Sequence, residues 1–298
     1  MKEKPMKSCE SAKPAWLVGF YLIFTILAFS SIEIIANPIR NQVSPMLITF
    51  WRFAIGSIFL LPLIFFRRQT NQLNRIELLK LFGLGVLNII ISMGAHAVCM
   101  KHAKASTAAI LIAANPIATN FFAWLILREA MPMRRIIALA VGLSGIVMIA
   151  SRPDNATDTT LGIAAGIVAM FGFGLYTVLS KGMVAKHGSV KVTTLSCLTA
   201  LAAYIPILLI KGQGLIPDTA AWPRLLALGI FGSGLGYVTF FKALEAMPAG
   251  KASYLFFFKP PVALLLAWMV LGEKPALAAI IGTTLIMSGI FIETFRRK

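Results

Sequence analysis

Between Trp16 and Thr294 the chain returns ten times to a long, predominantly apolar run, and that recurrence leaves few folds open to it. The runs fall at 16–36, 45–66, 78–99, 104–127, 133–151, 160–180, 190–210, 222–243, 248–270 and 275–294. A helix rises about 1.5 Å per residue, so roughly 20 apolar residues cover the hydrocarbon core of a bilayer. Irregular chain in lipid leaves backbone N–H and C=O groups unpaired, so runs of this length predict helices that cross a membrane. Composition agrees, with 58% hydrophobic and 13% charged residues and no polar stretch long enough for a separate soluble domain. The first run is longer than a signal-peptide core and has no clear small-residue cleavage pattern after it. It is expected to be the first spanning helix.

The formal charge of +17 would suit a nucleic-acid binder only if the basic residues formed a soluble patch. Here they punctuate the ends of the apolar runs, so no nucleic-acid partner is expected. With the N-terminus placed in the cytoplasm, 19 Lys and Arg fall on the cytoplasmic side, seven fall outside, and two, Arg52 and Lys259, lie within runs. The excess puts both termini inside. A multi-pass protein of the bacterial inner membrane is the expectation. Cys9, Cys99 and Cys197 form no close pair, which implies neither a disulfide scaffold nor a metal site.

Two of the runs are variants of one another. ASTAAILIAANPIATNFFAWLIL and GKASYLFFFKPPVALLLAWMVL superpose at an offset of 144 residues without gaps. Ala105 meets Ala249, Pro116 meets Pro260, Trp124 meets Trp268, Glu129 meets Glu273 and Gly145 meets Gly289. Five helices separate equivalent points. Because five is odd, the second copy must enter the membrane upside down. The expected organisation is a cytoplasmic tail at 1–15 and two inverted five-helix repeats, 16–151 and 160–294, in an all-α polytopic protein.

Polar groups near the middle of such runs carry the functional argument. Lys259 lies close to the centre of its run, where a lone ammonium is costly unless paired or hydrated. It is expected to face a cavity and to bind a carboxylate or phosphate, or to alternate between a proton and a solute. Permanent pairing within the protein, or snorkelling to polar surroundings, is the structural alternative. Pro260 and Pro261 follow it, and Pro116 follows Asn115. Proline removes a backbone donor and disfavours a straight helix, leaving carbonyls upstream to bind or be wetted. Asn115 and Lys259, with Tyr237 and Tyr254, are the candidate substrate-binding residues. Pro116, Pro260 and Pro261 are the candidate helix breaks.

Arg52 and Glu33 have similar estimated depths on the first two runs, so an ion pair between them is expected, either as a brace or as an outer gate. His96 reads as a local hydrogen-bonding residue rather than a proton relay. Glu129 and Glu273 read as helix caps or interhelix acceptors, with gating as the second reading. Tyr176 and Phe240, like the two candidate tyrosines, either line an amphipathic pocket or simply pack or face lipid. Glycines concentrate in the third, fifth, sixth and eighth runs and allow close crossings. Three scattered histidines and the lack of a phosphate-cradling or zinc pattern argue against an enzyme, and no cofactor or metal is implied. Repeated polar rings, the sign of a channel, are absent.

The ten-run layout, the two repeats, the motif TFWRFAIG, and the paired endings NPIATNFFAWLILREAMP and KPPVALLLAWMVLGEKP together resemble the drug/metabolite transporter superfamily, in its EamA-like branch. That resemblance covers nearly the whole chain. It implies an inverted-repeat carrier with a central cavity, often exporting amino acids or related metabolites by alternating access. It draws Glu33, Asn115, Tyr237 and Lys259 toward that cavity. One departure is that Arg128 precedes Glu129 where Gly272 precedes Glu273, so the two halves need not act alike. The expected function is therefore secondary transport of a small polar metabolite, an amino acid or related anionic or zwitterionic solute, by efflux. The expected partners are that metabolite, membrane lipid, and a coupling proton or counter-substrate. Uptake or exchange of a nucleotide-like or cofactor metabolite is the alternative, and a nontransporting scaffold a more remote one.

Overall fold

The apolar runs are helical, and their ends are set by ordinary helix chemistry. A computed structural model describes residues 14–39, 42–66, 73–103, 108, 111–150, 159–210, 212, 214–271 and 277–294. Within these lie α1 (Ala15–Ala36), α2 (Pro45–Phe66), α3 (Arg75–His102), α4 (Leu111–Leu127) and α5 (Met133–Ala150). They are followed by α6 (Thr160–His187), α7 (Ser189–Ile210) and α8 (Thr219–Ala246). The chain ends with α9 in two pieces, α9a (Ala249–Ser253) and α9b (Leu255–Leu271), and α10 (Leu277–Thr294). Six of the described helices, α1, α2, α3, α6, α7 and α8, are long and apolar enough to cross a membrane. The protein is an all-α, polytopic membrane protein.

Helix α3 starts on a capping box, in which the Asn74 side chain accepts from the Glu77 N–H and the Glu77 carboxylate accepts from the Asn74 N–H. Thr159 caps α6 by accepting from the Gly162 N–H at 3.1 Å, and its hydroxyl donates to the His102 carbonyl at 2.7 Å. Both α3 and α8 widen into a π-helical stretch midway, at Val86–Met93 and Leu228–Leu235. Proline acts differently in the two halves. Before Pro116 the chain turns at Ala114, and Pro116 sits at the start of the resumed helix, where its missing N–H has no helical partner to lose. Pro260 and Pro261 lie inside α9b, which remains helical through them. The expected break occurs at Tyr254 instead. Proline's fixed φ is itself helical, so the pair removes two N–H donors without ending the helix.

The helices pack in a reciprocal pattern. Helix α1 lies against α8 and α9b, and α6 lies against α3 and α4. Helix α2 packs on the π-helical stretch of α8, and α7 packs on α3. Moving each helix five places along the order converts one member of each pair of contacts into the other. Helices α5 and α10 pack chiefly on each other, and there the correspondence reaches single residues. A Cβ at Gly145 would stand 2.5 Å from the Gly282 carbonyl oxygen, and one at Gly289 would stand 2.8 Å from the Ala138 carbonyl oxygen. The backbones touch because those positions lack side chains. In the middle of the bundle, Phe29, Phe53, Phe173, Tyr237 and Phe256 from five helices form one aromatic cluster, with ring centroids 5.2–6.2 Å apart.

Candidate functional site

Against that aromatic cluster the bundle holds its intramembrane cations. Arg52, on α2, is half-buried. Its guanidinium carbon lies 4.8 Å from the centroid of the Phe53 ring, and one terminal nitrogen lies 3.3 Å from the Met93 sulfur. A ring face and a thioether are weak partners for a full charge. The Nε of Arg52 is buried and finds no acceptor among the described residues. Expected to pair with Glu33, Arg52 makes no ion pair among the described side chains; the Glu33 side chain lies outside them.

His96 sits on α3 beyond the π-helical stretch and is half-buried. Lys259, on α9b, is half-buried too, and its backbone carbonyl accepts the Ser30 hydroxyl of α1 at 3.2 Å. Tyr237 lies between the halves. Its hydroxyl reaches Asn88 Oδ1 at 3.4 Å, and its ring meets Phe29 and Phe53 edge-on, both at 5.4 Å. The Asn88 Nδ2 and the His96 Nδ1 are buried donors or acceptors without a partner among the described residues. Arg52 and Asn88, linked through Phe53 and Tyr237, therefore offer positive charge and unused hydrogen-bonding capacity in an apolar setting, where each is worth more than in water. Asn88 was not singled out by its sequence context, since an isolated Asn in an apolar run carries no pattern.

The remaining candidates fall elsewhere. Asn115 is fully buried, with its amide directed at the Met170 carbonyl at 3.4 Å and its carbonyl accepting from Thr119 at 3.0 Å. It ties α4 to α6. Tyr254 is buried against Phe257 and directs its hydroxyl to the Arg135 carbonyl at 3.4 Å, so the structure does not bring it together with Tyr237. Tyr176 and Phe240 are fully buried in the aromatic core, and Tyr237 and Tyr254 are buried in their clusters. Cys99 and Cys197 are buried free thiols, while Cys9 lies outside the described residues.

Each end of the bundle is tied differently. At one end Glu129, just past α4, receives Lys181 of α6 at 3.0 Å and the N–H groups of Ala249 and Gly250 at 2.7 and 3.1 Å. It is a helix cap as expected, but for α9a in the other half of the chain. Burial works against the ionised carboxylate, and the hydrogen bonds from Lys181, Ala249 and Gly250 outweigh it, holding the pKa below the ordinary value. Beside it Asn120 reaches the Gly250 carbonyl and the Ser253 hydroxyl, both at 3.3 Å. A second cluster at this end joins Glu77 to Lys186 and His187. At the opposite end Trp51 donates to the Leu215 carbonyl at 2.7 Å and stacks edge-on with Trp222 at 4.6 Å. Glu273 lies outside the described residues.

The model of the EamA-like transporter family matches the chain twice, over residues 16–151 and 160–295. The chain belongs to the EamA-like transporter family. This EamA-like protein is 28% identical over 289 residues to an uncharacterized transporter of Clostridium kluyveri, a match covering 93% of each chain. It is 26% identical to an uncharacterized transporter of Archaeoglobus fulgidus, covering 95% of this chain and 99% of that one. It is 27% identical to a probable terminal-alkyne amino-acid exporter of Streptantibioticus cattleyicolor, over 76% of this chain and 74% of that one. The fold matches a protein of known crystal structure with a TM-score of 0.80 at 19% identity, covering 93% and 96% of the two chains. The EamA-like protein is thus a member of a transporter family and not of an enzyme family.

Proposed function

We propose that this EamA-like protein is a secondary carrier that exports a small anionic or zwitterionic metabolite of the amino-acid type by alternating access. The observation that carries the reading is the polar group built on Arg52, whose guanidinium lies against Phe53, next to Tyr237 with its hydroxyl on Asn88. Arg52 makes no ion pair among the described side chains, and a half-buried cation so placed suits a ligand that brings its own negative charge. Arg52 and Lys259 would hold its carboxylate, and Tyr237 and Asn88 would orient its polar remainder. Asn115 and Tyr254 would act one layer out, positioning the proline-bearing helices α4 and α9b. The named exporter among the relatives, an amino-acid carrier by its description, supports the same solute class and direction.

Two inverted five-helix repeats, 16–151 and 160–294, would supply the moving parts. The double family match, the five-place reciprocity of helix contacts and the Gly145/Gly289 correspondence support that division. The excess of Lys and Arg at the Glu129 end supports a cytoplasmic location for that end and for both termini, in a bacterial inner membrane. The test is a panel of amino acids, dicarboxylates and nucleotides in proteoliposomes, with and without a proton gradient or loaded counter-substrate. Wild type should move an amino-acid-like anion or zwitterion. Lys259→Gln and Arg52→Gln should each lower its transport roughly tenfold or more, the scale of a lost charge-assisted hydrogen bond. Undiminished transport by both folded variants would remove the central site from consideration.

A further inference from the structure

A cavity lies at the Glu129 end between α1 and α9b, with a volume of about 490 Å³. Its walls are apolar, with Leu22 and Ile26 from α1 and Leu255 and Phe258 from α9b, and its polar boundary is Arg134 of α5 and Lys251 of α9a. On α1 the adjoining Ile23 and Leu27 are exposed, so the cavity lies beside a surface built for hydrocarbon.

The equivalent position in the other half of the chain is filled. The 144-residue offset places Val18 and Leu22 of α1 over Gly162 and Gly166 of α6, and Leu255 over Leu111. At Gly166 the corresponding space is closed, since a Cβ there would stand 2.3 Å from the Leu111 Cδ1. The cavity stands where α1 carries Val18 and Leu22 in place of those glycines, with Lys251 and Arg134 in its wall.

We propose that this cavity binds an anionic phospholipid of the surrounding bilayer, an acyl chain lying between α1 and α9b and the phosphate meeting Arg134 and Lys251. The two halves of the site select for the two halves of such a molecule. A small soluble anion would leave the apolar walls unfilled, and a zwitterionic lipid would bring a second, repelled charge to two cations. Basic residues beside a hydrophobic slot at a bilayer surface attract acidic head groups by just this division of labour.

The test is lipid titration into the detergent-purified full-length protein, read by native mass spectrometry and by thermal unfolding. Phosphatidylglycerol should form a defined adduct and raise the melting temperature, and phosphatidylcholine should do neither at equal concentration. The double variant Arg134→Gln/Lys251→Gln should bind phosphatidylglycerol roughly 30-fold more weakly, the effect of two basic residues near an acidic surface. Leu22→Trp, which fills the slot and keeps both cations, should also lose the adduct. Lys242→Gln is the control, because its ammonium lies 4.9 Å from the Tyr21 ring centroid and does not line the cavity. It should bind as wild type. Equal adducts with both lipids, equal loss in the Lys242 control, or displacement by inorganic phosphate would each overturn the proposal. Should the double variant not fold, retention of the adduct by Leu22→Trp does so as well.

Discussion

Replacing Glu129 should loosen one end of the bundle by an amount that its contacts set. The carboxylate receives two backbone N–H groups at the start of α9a and the Lys181 ammonium, at 2.7, 3.1 and 3.0 Å. Charge-assisted hydrogen bonds of this kind contribute about 2 kcal/mol together when their donors are otherwise unpaired. The ion pair is partly exposed, with side-chain accessibilities of 27% and 13%, and adds about 0.5–1 kcal/mol. Glu129→Ala should therefore cost about 3 kcal/mol locally, and Glu129→Gln, which keeps an acceptor but not the charge, about half that. Hydrogen–deuterium exchange over residues 249–253 measures the opening directly. Exchange should accelerate on the order of 100-fold in the Ala variant and roughly tenfold in the Gln variant. Exchange within twofold of wild type in both would show that the carboxylate does not hold α9a, and that packing alone closes this end.

The same carboxylate gives a pH dependence with a definite sign. Its folded-state pKa is depressed below 4.5, so its stabilising contribution is complete above pH 4.5 and is lost as pH falls through the depressed value. The difference in melting temperature between wild type and Glu129→Gln should hold constant from neutral pH to about that point, then shrink toward zero. Glycines at one helix give a paired stability test. A Cβ at Gly85 would stand 1.9 Å from the Ser196 carbonyl oxygen, whereas one at Gly83 would meet nothing within 4 Å. Gly85→Ala should cost about 2 kcal/mol or more by forcing α3 from α7, and Gly83→Ala should be neutral or gain up to about 1 kcal/mol, both read as melting temperature in detergent.

Much of the bundle was legible because a bilayer demands long apolar helices and the chain supplies little else. Charges at mid-depth were legible for the same reason, so Arg52 and Lys259 stood out without any knowledge of their neighbours. Arg52 was matched to Glu33 by depth alone, and depth says nothing about which way a side chain points around its helix; the Glu33 side chain lies outside the described residues. Asn88 was missed, and it lies on a π-helical stretch, where each turn holds more than the usual 3.6 residues and counting along an ideal helix misplaces the faces. Asn115 was marked by the proline that follows it, but whether an amide turns inward to Met170 or outward to a ligand depends on a helix 55 residues away.

The seam between α5 and α10 has a consequence for how such a chain is held together. Gly145 packs against residues 282 and 286 while Gly289 packs against 138 and 142, so each side presents to the other what the other presents to it. A surface that recognises its own copy does not depend on a peptide bond between the copies. The link between the halves sets their stoichiometry, but the recognition is written twice, once in each half. What the covalent join permits is divergence. Once the halves can no longer exchange places, one is free to carry Lys259 while the other keeps Asn115.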